Sequence, residues 1–117
     1  MVSKSGLFEI LEKIKSRPGA YIGQPSVLDL FVFLAGYKTA RRELGVNPTE
    51  EEIVFYDSFH GFVEDIYHVK NSNSWAKIIM LYCQDNRAGF ERFFELLAEF
   101  KQVSLNSPQP QEVVIKG

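Results

Sequence analysis

The sequence predicts an all-α protein, a compact single-domain bundle of about five helices. Apolar residues recur three and four positions apart through most of the chain. Side chains that cap helices stand ahead of these runs, and Pro18 and Gly45 punctuate them. A hydrophobic share of 45%, with ten Phe and five Tyr, promises a core built largely from aromatic rings. A chain of 117 residues can bury roughly two-thirds of the surface it exposes when unfolded, enough to fold without metal or disulfide support.

The first helix lies within Gly6 to Lys15, where Leu7, Ile10, Leu11 and Ile14 share one face and lysines and glutamates take the other. It ends at Arg17, because Pro18 disfavours helical geometry in the residue before it. The run RPGAYIG, Arg17 to Gly23, then reads as a helix-breaking turn with Tyr21 and Ile22 packed beneath it. Ser26 caps the second helix, with Asp29 placed as the reciprocal acid of a capping box. Its body, VLDLFVFLAGYKTARREL, is apolar on nearly every side through Tyr37 and basic only at Lys38, Arg41 and Arg42. That pattern describes the central helix of the bundle, buried first and exposed later, with Gly45 as its stop.

The third helix opens at NPTEEE, capped by Asn47 or Thr49. Projected at about 100° per residue, Phe55, Phe59, Phe62, Val63 and Ile66 fall on one side. Glu50, Asp57, Gly61, Glu64 and His68 fall on the other. KNSNS offers Ser72 or Ser74 as the next cap. WAKIIMLYC is read as a helix, with a short buried strand at 76–83 as the alternative. RAGFERFFELLAEFKQ carries a stripe of Phe90, Phe93, Phe94, Leu97 and Phe100, with Glu91, Arg92, Glu95 and Glu99 opposite. The domain is expected to span 1–103 and to leave a loosely ordered tail at 104–117, in which 112–116 is the alternative site of an edge strand.

The lone Cys83 sits in an apolar run and reads as a buried thiol in a reducing compartment. The N-terminus lacks a signal-peptide pattern and the longest apolar run, LFVFLAGY, is too short to span a bilayer. A soluble, cytoplasmic protein without a membrane partner is expected.

Charge is unevenly distributed. Residues 1–42 carry seven Lys or Arg against three acids, whereas residues 43–69 carry seven acids and neither Lys nor Arg. A focused negative face steers basic partners and repels nucleic acid. The plainer reading of Glu50 to Glu52 is that they favour a helix N-terminus, with the other acids forming a solvated face. Asp57, His60, Glu64 and His68 follow one another at helical spacing and would share one side, as ligands do, but nothing elsewhere in the chain completes a coordination sphere. Ordinary surface pairs of His with Glu or Asp are the expected reading, and no metal site is expected. No Cys-His pair with an orienting group, GxSxG or Walker-type loop is present, so neither an enzyme nor a cofactor is expected. Lys38, Arg41 and Arg42 with Lys13, Lys15 and Arg17 would make a basic patch, but the pI near 5.7 and the acidic third helix weigh against nucleic acid.

RPGAYIG resembles the RPGMYIG segment of the gyrase and topoisomerase ATPase domain. In that family a helix with a Glu for water and an Asn for magnesium follows; here VLDLFVFLAGYKTA has neither and no DxGxG appears, so the likeness stays local. A broader order of features, from the first amphipathic helix through RPGxYIG, the Pro-Ser-capped apolar helix, SWAKIIMLY and FFELLAEF, spans residues 6–101. It resembles the immunity proteins of polymorphic and contact-dependent growth-inhibition toxin systems. The resemblance implies a cytoplasmic protein that binds one toxin domain, a nuclease in the expected case, and occludes it one to one. Glu50, Asp57, Glu64 and Asp65 would then supply electrostatic contacts, and His60, His68, Tyr56 and Tyr67 rim and anchor contacts. A small helical regulatory or adaptor protein, with nucleic acid among its partners, is the alternative.

Overall fold

The computed structural model describes residues 6–70 and 73–106, with side chains as far as residue 104. Six helices follow one another: α1 (Leu7–Ser16), α2 (Pro18–Ile22), α3 (Val27–Glu43), α4 (Glu50–Tyr67), α5 (Trp75–Leu81) and α6 (Asn86–Asn106). No strand occurs among the described residues, so the fold is all-α. The segment that was ambiguous between helix and strand is α5, capped by the Ser74 hydroxyl, which accepts from the Lys77 N–H at 3.2 Å. The alternative strand at 112–116 lies outside the described residues.

Three expectations need correction. RPGAYIG contains a short helix, α2, because Pro18 occupies the first helical position, where its missing N–H costs nothing. The break falls at Arg17 as expected, but Tyr21 stays 38% exposed and only Ile22 packs against the core. Second, α6 continues to Asn106, past the boundary expected at 103, because no helix breaker acts before Pro108. Residues 107–117 of the expected tail lie outside the described residues.

Third, the central helix is α6 rather than α3. Phe90, Phe93, Phe94, Leu96, Leu97 and Phe100 are buried along one broad face of α6, which packs against α3, α4 and α5. Two cations tie α1 to it from opposite ends, Lys15 over the Phe94 ring and Lys101 over the Phe8 ring. By contrast α3 buries only Val27, Leu30 and Leu34, and Val32 is 68% exposed. Its apolar residues surround the helix, while its neighbours α2, α5 and α6 cover only part of it.

Phe59 of α4 is the hub of the core. Its ring centroid lies 4.8 Å from Phe55, 5.3 Å from Trp75, 5.6 Å from Phe93 and 5.4 Å from Phe100, mostly edge to face. Such contacts add to the burial of the rings and define how α4 sits against α5 and α6. With one face committed to this core, the opposite face of α4 is presented outward in a fixed orientation.

Candidate functional site

The outward face of α4 is built from both ends. At its start the Thr49 hydroxyl accepts from the Glu52 N–H at 3.1 Å, and the Glu52 carboxylate accepts from the Thr49 N–H at 3.0 Å, a complete capping box. At its end the Val69 N–H donates to the Glu64 carbonyl at 3.1 Å while His68 takes left-handed angles, φ 57° and ψ 44°. This is the closure that α3 makes at Gly45, φ 78°, where the Val46 N–H reaches the Arg41 carbonyl. A histidine thus does at the end of α4 what glycine does at the end of α3.

Between these ends Glu50, Val54, Asp57, Gly61, Asp65 and His68 form one exposed stripe. Among the described residues, Glu50, Glu51, Asp57 and Asp65 form no ion pair, so their charge is uncompensated at short range. A Cβ at Gly61 would meet nothing within 4 Å, which makes the middle of the stripe low and open.

The predicted site residues therefore divide. Glu50, Asp57, Asp65 and His68 lie on the stripe, whereas Glu64 and His60 belong to its edge. The Glu64 side chain is only 12% exposed, 3.1 Å from His60 Nε2 and 3.9 Å from Lys70 Nζ, so its charge is engaged within the protein. Tyr56 and Tyr67 are half-buried away from the stripe. Tyr67 stacks on Tyr82 at 4.3 Å and accepts a hydrogen bond from Arg92 Nε at 3.1 Å, which joins α4 to α6. Asp57, His60, Glu64 and His68 do not converge: among the described residues no group of three or more His, Cys, Asp and Glu side chains is placed to hold a metal.

The carboxylate whose role periodicity missed is Glu52. It is 2% exposed, and besides Thr49 its carboxylate accepts from the Leu7 N–H at 2.9 Å and from Arg41 Nη1 at 3.0 Å. One carboxylate thus joins the starts of α1 and α4 to the last turn of α3. Burial alone would push its pKa up, but the N–H groups of Leu7 and Thr49 and the Arg41 guanidinium outweigh this and hold it below the ordinary carboxylate value. The hydrogen bond to Glu52 in turn raises Arg41. The sequence does contain the signal, the spacing Thr-x-x-Glu, which sets Glu52 apart from Glu50 and Glu51.

Arg41 is accordingly drawn out of the predicted basic patch. Its guanidinium lies near Gly6 at the start of α1, whereas Lys13 and Lys15 occupy the last turn of that helix, one pairing with Glu9 and the other covering Phe94. Cys83 is half-buried, and burial raises its thiol pKa, which opposes thiolate chemistry. Among the described residues no helix is long and apolar enough to cross a membrane. In comparisons with known proteins, no family model matches the chain, and neither a curated protein nor a solved structure matches it.

Proposed function

We propose that this chain is a cytoplasmic immunity protein that binds a toxin domain, a nuclease, through the acidic stripe of α4 and occludes it one to one. The observation that carries the reading is the row of exposed acids, Glu50, Asp57 and Asp65, uncompensated at short range on a helix seated by the Phe59 core. A nuclease must attract phosphate, so its active-site cleft is basic. A stable negative helix complements such a cleft and accelerates encounter without contributing chemistry. Low relief at Gly61 lets a partner surface approach the helix backbone, Val54 adds an exposed apolar contact, and His68 closes the stripe. The resemblance over residues 6–101 to immunity proteins of growth-inhibition systems points the same way.

The test is to co-purify the chain with the toxin domain encoded beside it and to measure association kinetics against rising salt. The double reversal Asp57→Lys with Asp65→Lys should slow association by about tenfold or more at low salt and flatten its salt dependence. Unchanged kinetics would remove the stripe from the interface. A gel shift with mixed DNA and RNA is expected to show no complex; a shift would favour the adaptor reading instead.

A further inference from the structure

A second surface, independent of the stripe, lies where the last turns of α3 face the loop into α4. A cleft of about 200 Å³ opens there, with Lys38 and Arg42 on one wall, Asn47 at the turn, and Val46, Pro48 and Tyr56 supplying apolar surface. Arg41 and the buried Glu52 also line it.

The charge balance of this cleft is the decisive feature. Glu52 is already satisfied by Arg41 and two backbone N–H groups, so its negative charge is neutralised inside the wall. Lys38 and Arg42 stand one turn apart on α3, and among the described residues neither forms an ion pair. Lys38 instead reaches across the cleft, with Nζ 4.5 Å from the Tyr56 ring centroid. Asn47 likewise has no hydrogen-bond partner among the described residues for its side-chain amide. Two uncompensated cations and an unengaged amide thus surround a concave space with an apolar wall, while Arg41 is held in position by Glu52. The Glu52–Arg41 pair fixes one part of the wall, and the exposed side chains of Lys38, Arg42, Val46, Asn47 and Pro48 complete it.

We propose that this cleft binds a small organic oxyanion, a phosphate ester or a carboxylate, carried on a short apolar stem. The anion sits between the Lys38 ammonium and the Arg42 guanidinium, where both donate charge-assisted hydrogen bonds, and the Asn47 amide adds a third donor. The stem lies against Val46, Pro48 and the Tyr56 ring. The small volume excludes a nucleotide or a peptide segment from full burial and limits the ligand to a few heavy atoms beyond the anion.

The experiment uses the full chain labelled with ¹⁵N and follows backbone amides during separate titrations with phenyl phosphate, benzoate, inorganic phosphate and benzyl alcohol. Saturable shifts at Gly45, Val46 and Asn47 with phenyl phosphate or benzoate, with a Kd on the order of 1 mM, are expected. The stronger of the two identifies the preferred anion. Inorganic phosphate should bind several-fold more weakly, and benzyl alcohol should leave these amides unmoved. The double variant Lys38→Gln with Arg42→Gln should weaken binding by about tenfold or more while the rest of the spectrum reports an intact fold. Lys15→Gln, at the far end of α1, should bind as the parent does. Absence of saturable shifts, equal shifts with benzyl alcohol, or undiminished binding by the Lys38/Arg42 variant would each overturn the proposal. Inorganic phosphate binding as tightly as phenyl phosphate would overturn the part assigned to the apolar wall.

Discussion

Glu52→Gln probes the joint that holds three helix ends together. In the native protein Oε2 accepts from the Leu7 N–H and from Arg41, and Oε1 accepts from the Thr49 N–H. Glutamine keeps one acceptor oxygen but replaces the other with an NH2 group. Whichever way the amide is turned, a donor is left facing a donor at a site that is 2% exposed. Removing one buried partner leaves an unsatisfied group costing about 1–3 kcal/mol, and the remaining bonds lose their charge assistance. Arg41 keeps 20% exposure and recovers part of its hydration, which limits the penalty. The expected cost is therefore about 3 kcal/mol at pH 7, a large share of the roughly 5–15 kcal/mol that stabilises a domain. For a chain of this size it corresponds to a fall in Tm on the order of 15 °C.

The assay is urea unfolding followed by the fluorescence of Trp75, the only tryptophan, which stacks on Phe93 in the core. A pH series supplies the sharper reading. Because the folded protein holds the Glu52 pKa below its unfolded value, the unfolded chain takes up the proton first on acidification. The stabilisation is complete above about pH 5 and is lost as pH falls through the lowered folded value. Glu52→Gln has no such group, so the gap between parent and variant should narrow steadily in acid. A variant that costs less than about 0.5 kcal/mol at pH 7 would refute the reasoning, as would a gap that stays constant into acid.

Two more perturbations act on neighbouring features. Gly6 has φ 144°, and a Cβ there would lie 2.7 Å from Glu52 Oε2, so Gly6→Ala should cost about 2–3 kcal/mol. In a double-mutant cycle with Glu52→Gln the two losses should fall short of additivity by about 1 kcal/mol, and strict additivity in urea unfolding would separate the sites. His68→Gly relieves a left-handed residue and should stabilise the fold by about 1 kcal/mol in the same assay. Lower stability would show that the His68 ring contributes contacts worth more than the backbone strain.

The legible part of the architecture was the part governed by local periodicity and caps. Leu7, Leu11 and Ile14 on α1, Phe55, Phe59 and Val63 on α4, and the phenylalanine stripe of α6 are buried as their spacing indicates. Thr49 and Ser74 cap as their positions indicate, because an N-cap satisfies donors within its own turn. Ser26 caps α3 as well, yet Asp29 accepts from Gln24 Nε2 instead of closing a box. A reciprocal bond needs a rotamer that the sequence does not dictate.

The site was legible to the extent that helical projection suffices. Glu50, Asp57, Asp65 and His68 share a face because positions seven, eight and three residues apart coincide on any α-helix. Glu64 was placed there by the same geometry, but its neighbours His60 and Lys70 engage it. A one-dimensional projection carries no information about which charges find partners. The composition and spacing of this chain were enough to specify helices, their inward faces and an acidic outward surface, since these follow from interactions within a few residues. Only tertiary packing decided that α6 rather than α3 is central. Packing also decided that Arg41 leaves the basic surface and that Glu52 becomes a buried joint. Those outcomes depend on groups 11 and 45 residues apart in sequence, whose meeting is fixed by how whole helices cover one another.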